Sequence, residues 1–240
     1  MKTTTAQNKI IVALDVETMA EALRLVEILH ADVGAFKIGK QLFTAAGPDA
    51  VRRIHERGGK IFLDLKFHDI PTTVAKASVE AARLGVFMFN MHALGGAAMM
   101  RESVQAVRQL SGAQPLMIAV TVLTSMGAGD LKPLGITLPV DELVVRLALL
   151  ARDAGMSGVV ASPREIGLIK KACGPEFLVV TPGIRPAGAD ANDQKRAMTP
   201  GEAVEAGADF IVVGRPITHA ADPLAAARGI AGEIAAALQQ

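Results

Sequence analysis

The chain has 240 residues, half of them apolar, with 25 basic against 24 acidic side chains and a formal net charge of +1. That balance, a charged fraction of 20% and a positive mean hydropathy exclude a disordered chain and a nucleic-acid binder held by bulk positive charge. One cysteine, no Trp and no Tyr leave no disulfide framework and no stacking platform for single-stranded nucleic acid, so no nucleic-acid partner is expected and the cytoplasm is the expected compartment.

The polar start and the short apolar run over 10–14 fit neither a signal peptide nor a membrane span, so a soluble, unprocessed protein without a membrane partner is expected. From there, runs rich in β-branched and aromatic residues alternate with longer segments of helical spacing. Strands are predicted over 10–15, 33–38, 60–66, 86–92, 116–121, 158–161, 177–181 and 208–213. Amphipathic helices are predicted over 20–29, 42–57, 73–84, 97–110, 140–154, 164–172, 200–205 and 223–238. Gly34, Gly58-Gly59, Gly85, Gly155, Gly174 and Gly207 stand where a helix hands over to a strand. Eight βα units with near-continuously apolar strands predict an α/β fold, a closed (β/α)8 TIM barrel. An open doubly wound sheet is the rival; it usually has fewer strands and a glycine-rich first turn, whereas Leu14-Asp15-Val16-Glu17 follows the first strand here. No linker or low-complexity tract is visible, so 1–240 is read as one domain.

In such a barrel the chemistry sits at the C-terminal strand ends. These carry Asp15, Lys37, Asp64 with Lys66, His92, Thr121 leading to Thr124, Ser162, Thr181 leading to Arg185, and Gly214-Arg215. Strand period two puts Asp64 and Lys66 on one face and Leu63 and Leu65 on the other; the apolar face meets the helices, so the charged pair points inward. Taken alone, Asp-x-Lys reads equally well as a buried ion pair that fixes packing. Lys37 and Asp15 on neighbouring strand ends tilt the reading towards a site, because three charged ends side by side are costly as packing. Gly214-Arg215-Pro216 has the character of an anion site, with close backbone approach, a following helix start and a bidentate guanidinium; its alternative is an ordinary helix start with a solvated Arg. The loop over 182–198, with Gly183, Arg185, Gly188, Asn192, Asp193, Gln194 and Lys195, is long enough to close over a ligand. His30 and His55 read as surface residues, and His68, His92 and His219 as structural ones. No paired His or Cys spacing points to a metal, and Cys173 reads as inert.

Several strings together carry a family resemblance: Val12-Ala13-Leu14-Asp15, Phe36-Lys37-Ile38-Gly39, Asp64-Leu65-Lys66-Phe67-His68-Asp69-Ile70-Pro71-Thr72-Thr73-Val74, and His92-Ala93 before Gly95-Gly96. To these add Val122-Leu123-Thr124-Ser125-Met126, Thr181-Pro182-Gly183-Ile184-Arg185 and Val213-Gly214-Arg215-Pro216-Ile217. Over essentially its full length the sequence closely resembles the orotidine 5′-phosphate decarboxylases. Asp-x-Lys-x-x-Asp alone is shared with a wider group of sugar-phosphate enzymes; the extended string and the Leu-Thr-Ser-Met block are more specific. The resemblance implies decarboxylation of orotidine 5′-phosphate to UMP and CO2, the last step of de novo UMP synthesis, with no metal or cofactor, by a homodimer of (β/α)8 barrels. It implies that Lys37, Asp64 and Lys66 of one subunit are joined by Asp69 of the other, with Lys66 as proton donor to C6. It further implies that Asp15 and Lys37 bind ribose hydroxyls, that Thr124 lies near the pyrimidine, and that Arg185, Gln194, Gly214 and Arg215 hold the phosphate. Ile70 and Thr73 would contact substrate, Thr73 across the dimer interface. Spacing by itself says only that Asp69 lies beyond the strand, three residues past Lys66. Two rivals remain: a magnesium-dependent barrel acting on a keto sugar phosphate, and a catalytically silent nucleotide-phosphate binder. The Leu-Thr-Ser-Met block and the 183–195 segment speak against the first; intact Asp64, Lys66 and Asp69 speak against the second.

Overall fold

The computed structural model describes residues 5–186 and 198–239. Its strands are β1 Ile10–Ala13, β2 Ala35–Gly39, β3 Ile61–Phe67, β4 Met88–His92, β5 Leu116–Val120, β6 Gly158–Val160, β7 Leu178–Thr181 and β8 Phe210–Val213. The helices are α1 Met19–Leu29, α2 Lys40–Ala46, α3 Asp49–His55, α4 Pro71–Arg83, α5 Gly96–Arg108, α6 Ala128–Leu131, α7 Val140–Asp153, α8 Ile166–Cys173, α9 Pro200–Glu205, α10 Arg215–Thr218 and α11 Pro223–Ala237. Each strand pairs in parallel with the next, and β8 pairs with β1, so the sheet closes into the predicted (β/α)8 barrel.

Two apolar layers explain why the strands read as near-continuous apolar runs. Ile11, Ala13, Ala35, Phe62, Met88, Ile118, Val180 and Val212 fill the barrel interior. Their neighbours in the chain, including Ile10, Val12, Phe36, Ile38, Leu63, Phe89 and Met91, pack outward under the helices. Several helices begin on side-chain caps that occupy otherwise orphaned N–H groups: Thr18 Oγ1 accepts from Glu21 N–H, Thr199 from Glu202 and Asp222 from Ala225.

The helix predicted over 42–57 is two helices, α2 and α3. Gly47 has φ 61°, outside the helical range, and Pro48 has no N–H to continue the ladder. The amphipathic pattern runs through this break because both halves lie on the same core. The short α6 and α10 are additional to the predicted set; four residues are too few for a periodic signal. Gly34 meets a different demand from a helix cap, since a Cβ there would fall 2.2 Å from the Asn8 carbonyl oxygen.

At the N-terminal end of the barrel, Lys170 Nζ donates to Asp209 Oδ2 at 2.7 Å, and the same oxygen accepts Val179 N–H, fastening α8 to β7 and β8 away from the strand ends named above. Burial raises the pKa of the half-buried Cys173 thiol, which keeps it protonated and unreactive. Among the described residues no helix is long and apolar enough to cross a membrane.

Candidate active site

Charged side chains converge at the C-terminal mouth. Lys37, between Ala35 and Gly39 on β2, points inward and donates to Asp15 Oδ1 at 2.9 Å; its ammonium also lies 3.4 Å from Asp64 Oδ2. Lys66 Nζ donates to Asp64 Oδ1 at 2.6 Å. The chain Asp15, Lys37, Asp64, Lys66 therefore alternates in sign. Its two central members are largely withdrawn from water, with side-chain exposures of 11% for Lys37 and 12% for Asp64, whereas Asp15 at 62% is open to solvent. Withdrawn charges of opposite sign in contact are held in place far more firmly than surface pairs, because moving either one leaves its partner uncompensated.

β1 ends at Ala13, so Asp15 sits in the loop rather than at the strand's last residue. Leu14 N–H nevertheless bonds to the Lys37 carbonyl, which holds that loop against β2. Two cavities flank the array. One, of about 340 Å³, is lined by Asp15, Lys37, Gly183, Arg185, Gly214, Arg215, Thr218 and His219. The other, of about 220 Å³, has Lys37, Asp64, Lys66 and Thr124 at its polar end and Phe62, Val120, Val122, Leu123, Val160 and Val212 as its apolar wall. Lys37, Pro182 and Val212 belong to both.

The structure thus gathers Asp15, Lys37, Asp64, Lys66, Thr124, Arg185, Gly214 and Arg215 around one mouth. Asp69 stands apart: it is exposed beyond β3, and its carboxylate accepts its own neighbour's Ile70 N–H at 2.7 Å. Ile70 and Thr73 are exposed on the same segment and at the start of α4. Gln194 lies outside the described residues, as do Gly188, Asn192, Asp193 and Lys195. Ile184 and Met198 form a parallel bridge, with Arg185 N–H bonded to the Met198 carbonyl. Thr121 and Thr181 are spent on structure, their hydroxyls donating to the carbonyls of Val160 and Ala161 on neighbouring strands.

One participant escaped the sequence reading. Asn90, on β4 and 1% exposed, donates from Nδ2 to Asp64 Oδ1 at 2.7 Å and accepts Lys66 N–H on Oδ1 at 2.8 Å. A signal was available, namely an amide at an inward position of the strand Met88–His92 between residues that bury fully.

His92, at the end of β4, faces His68 with ring centroids 5.4 Å apart. Burial lowers its pKa, the neighbouring charges of His68, Lys66 and Lys40 push the same way, and Asp64 opposes them. The unfolded chain takes up this proton near pH ~6.5, while the folded protein resists it until lower pH. Stability linked to His92 is therefore fully present above that value and declines as pH falls towards the folded pKa. Thermal unfolding temperature is expected to drop between about pH 7 and about pH 5, and His92→Asn is expected to flatten part of that slope. Parallel slopes for both proteins in a pH series would remove His92 as the source.

Residues 8–230 match the family described as Orotidine 5'-phosphate decarboxylase / HUMPS family. Proteins named orotidine 5'-phosphate decarboxylase from Syntrophotalea carbinolica and Geobacter sulfurreducens are each 58% identical to this chain, over 239 and 233 residues; the matches cover 98% and 96% of this chain and 98% of each relative. The crystal structure of the enzyme of that name from Lactobacillus acidophilus aligns with a TM-score of 0.83 at 39% identity, covering 94% of this chain and 98% of that one. The corresponding structure from Pyrococcus horikoshii OT3 aligns with a TM-score of 0.76 at 29% identity, covering 94% and 99%. With the match running through every strand from β1 to β8 and relatives this similar aligned nearly end to end, the chain belongs to the orotidine 5′-phosphate decarboxylase / HUMPS family.

Proposed function

We propose that this chain is a carboxy-lyase that converts orotidine 5′-phosphate to UMP and CO2, the final step of de novo pyrimidine nucleotide synthesis, and that it needs neither metal nor cofactor. The observation that carries this reading is the alternating array through Lys37, Asp64 and Lys66 at the polar end of an apolar pocket, beside a second cavity lined by Arg185 and Arg215. A pyrimidine fits the apolar pocket with Thr124 at its edge, ribose hydroxyls reach Asp15 and Lys37, and the phosphate sits with Arg185, Gly214 and Arg215, joined by Gln194.

Loss of CO2 from C6 leaves an electron pair in an sp² orbital that the ring delocalises poorly, so the nascent carbanion needs a cation and then a proton. Lys66 supplies both, first as an ammonium stabilising the developing charge and then as general acid at C6. Asp64, bonded to Lys66 Nζ, aims the lysine and stands beside the departing carboxylate; Lys37 holds Asp64 from the other side. Phosphate is remote from C6, so its binding energy serves catalysis by fixing the substrate in the reactive position.

The same reading makes the enzyme a homodimer in the cytoplasm, with the whole chain as one domain, Asp69 and Thr73 serving the partner's site and Ile70 contacting substrate. In support, Asp69 turns to its own Ile70 amide, and Ile70 and Leu94 are 64% and 50% exposed on the loops after β3 and β4, an apolar surface that a second barrel would cover.

The test is the fall in ultraviolet absorbance of orotidine 5′-phosphate with purified protein in the presence of excess chelator. Turnover at the same initial rate with and without chelator is expected. Activity abolished by chelator would point to the metal-dependent sugar-phosphate barrels, and UMP binding without turnover to a silent nucleotide-phosphate binder.

A further inference from the structure

We infer that Asn90 is a positioning residue that sets both Asp64 and Lys66 for proton delivery, an assignment that rests on the decarboxylase reading above. Leu63 of β3 lies opposite Phe89 of β4, and Phe67 lies opposite Met91, so β3 places residues 64, 65 and 66 where β4 has Asn90 alone. The surplus is absorbed at Lys66, whose φ of 54° makes it the sole non-glycine among the described residues in the left-handed region. That conformation is disfavoured for any residue with a Cβ and persists only where the surroundings impose it.

Asn90 is what imposes it here. Its Oδ1 accepts the N–H of Lys66 at 2.8 Å, and its Nδ2 donates at 2.7 Å to the same Asp64 oxygen that receives Lys66 Nζ. Both ends of the amide are used, and only one orientation works, because a backbone N–H needs an acceptor and a carboxylate needs a donor. A fully buried amide on a strand whose Met88, Phe89 and Met91 are also fully buried is unfavourable for packing unless it is paired, and both its partners belong to the array. One rigid side chain thus locks the backbone from which Lys66 projects and the carboxylate that aims its ammonium. The titratable groups around it are Asp64 and Lys66 on β3, Lys37 on β2 and His92 on its own strand.

The experiment compares the unsubstituted enzyme with Asn90→Ala and Asn90→Asp, recording kcat and KM for orotidine 5′-phosphate, UMP affinity, thermal unfolding and the pH dependence of kcat. Asn90→Ala is expected to lower kcat by about 10- to 100-fold with KM and UMP affinity changed by less than about threefold, the scale of losing a group that orients another. Asn90→Asp preserves shape. Ionised, it sets two carboxylates against each other; protonated, its C=O and O–H reproduce the acceptor and donor of the amide. Its kcat is therefore expected to recover as pH is lowered, showing an ionisation that the unsubstituted enzyme lacks. This second variant decides the matter if Asn90→Ala does not fold. Unchanged kcat in both variants, or losses of kcat, UMP affinity and thermal stability together with no recovery in acid, would overturn the positioning role. An unsubstituted enzyme that leaves orotidine 5′-phosphate intact would overturn the decarboxylase reading, and the inference with it.

Discussion

Replacing Lys66 by alanine is expected to reduce decarboxylation of orotidine 5′-phosphate by about 10⁴- to 10⁷-fold while UMP still binds. The magnitude follows from two duties on one ammonium: a preorganised charge at the reacting centre contributes roughly 10²–10³, and a positioned general acid roughly 10²–10⁴. Binding survives because the rest of the apolar pocket and the arginine-lined cavity remain, and UMP has no carboxylate to place beside Asp64. Removing Lys66 also takes a partner from a largely buried carboxylate, so some loss of thermal stability is expected, offset by Lys37 and Asn90, which still hold Asp64. Single-turnover kinetics and equilibrium titration with UMP check the two halves separately. Turnover near that of the unsubstituted enzyme would end the proposed role of Lys66.

The second large effect is expected at the other end of the ligand. Arg215→Ala should lower kcat/KM for orotidine 5′-phosphate by about 10²- to 10⁴-fold, the equivalent of two charge-assisted hydrogen bonds at roughly 1.5–3 kcal/mol each. Arg215 opens α10 at the rim of the larger cavity, away from the apolar pocket, so the fold and the array around Lys66 should be unaltered. The informative control is orotidine itself, which lacks the phosphate. Its slow turnover should be the same in the variant and the unsubstituted enzyme. A parallel loss with both substrates would mean that Arg215 supports the structure and does not read the phosphate.

How far the molecule was legible in its sequence depends on the distance over which each feature is decided. The strands announce themselves because most of their residues are buried, so β-branched and aromatic residues run together with few polar interruptions beyond the site residues themselves; β8, Phe210–Val213, is an uninterrupted case. The inward direction of Asp64 and Lys66 follows from the pleat and from the apolar neighbours Leu63 and Leu65. The division at Gly47-Pro48 was written in the sequence, but the apolar stripe continues across it and outweighs the punctuation. Asn90 was harder. Its importance arises from the pairing offset between β3 and β4, and register belongs to two strands together, not to either one. Asp69 shows a different limit, since its side chain leaves the array of its own chain and no pattern along one polypeptide says where it goes.

The wall between the two cavities has an evolutionary consequence. Lys37, Pro182 and Val212 face both sides, so a change at any of them alters recognition of both ends of a ligand at once. Such positions resist gradual drift in selectivity, because an improvement for one moiety disturbs the other. Leu123 and Thr124 touch only one compartment, and Arg215 and His219 only the other. A barrel arranged this way can exchange its head group or its tail group by independent steps while the partition and its charged neighbours stay as they are, and those outlying positions are where a library designed to retarget the enzyme should begin.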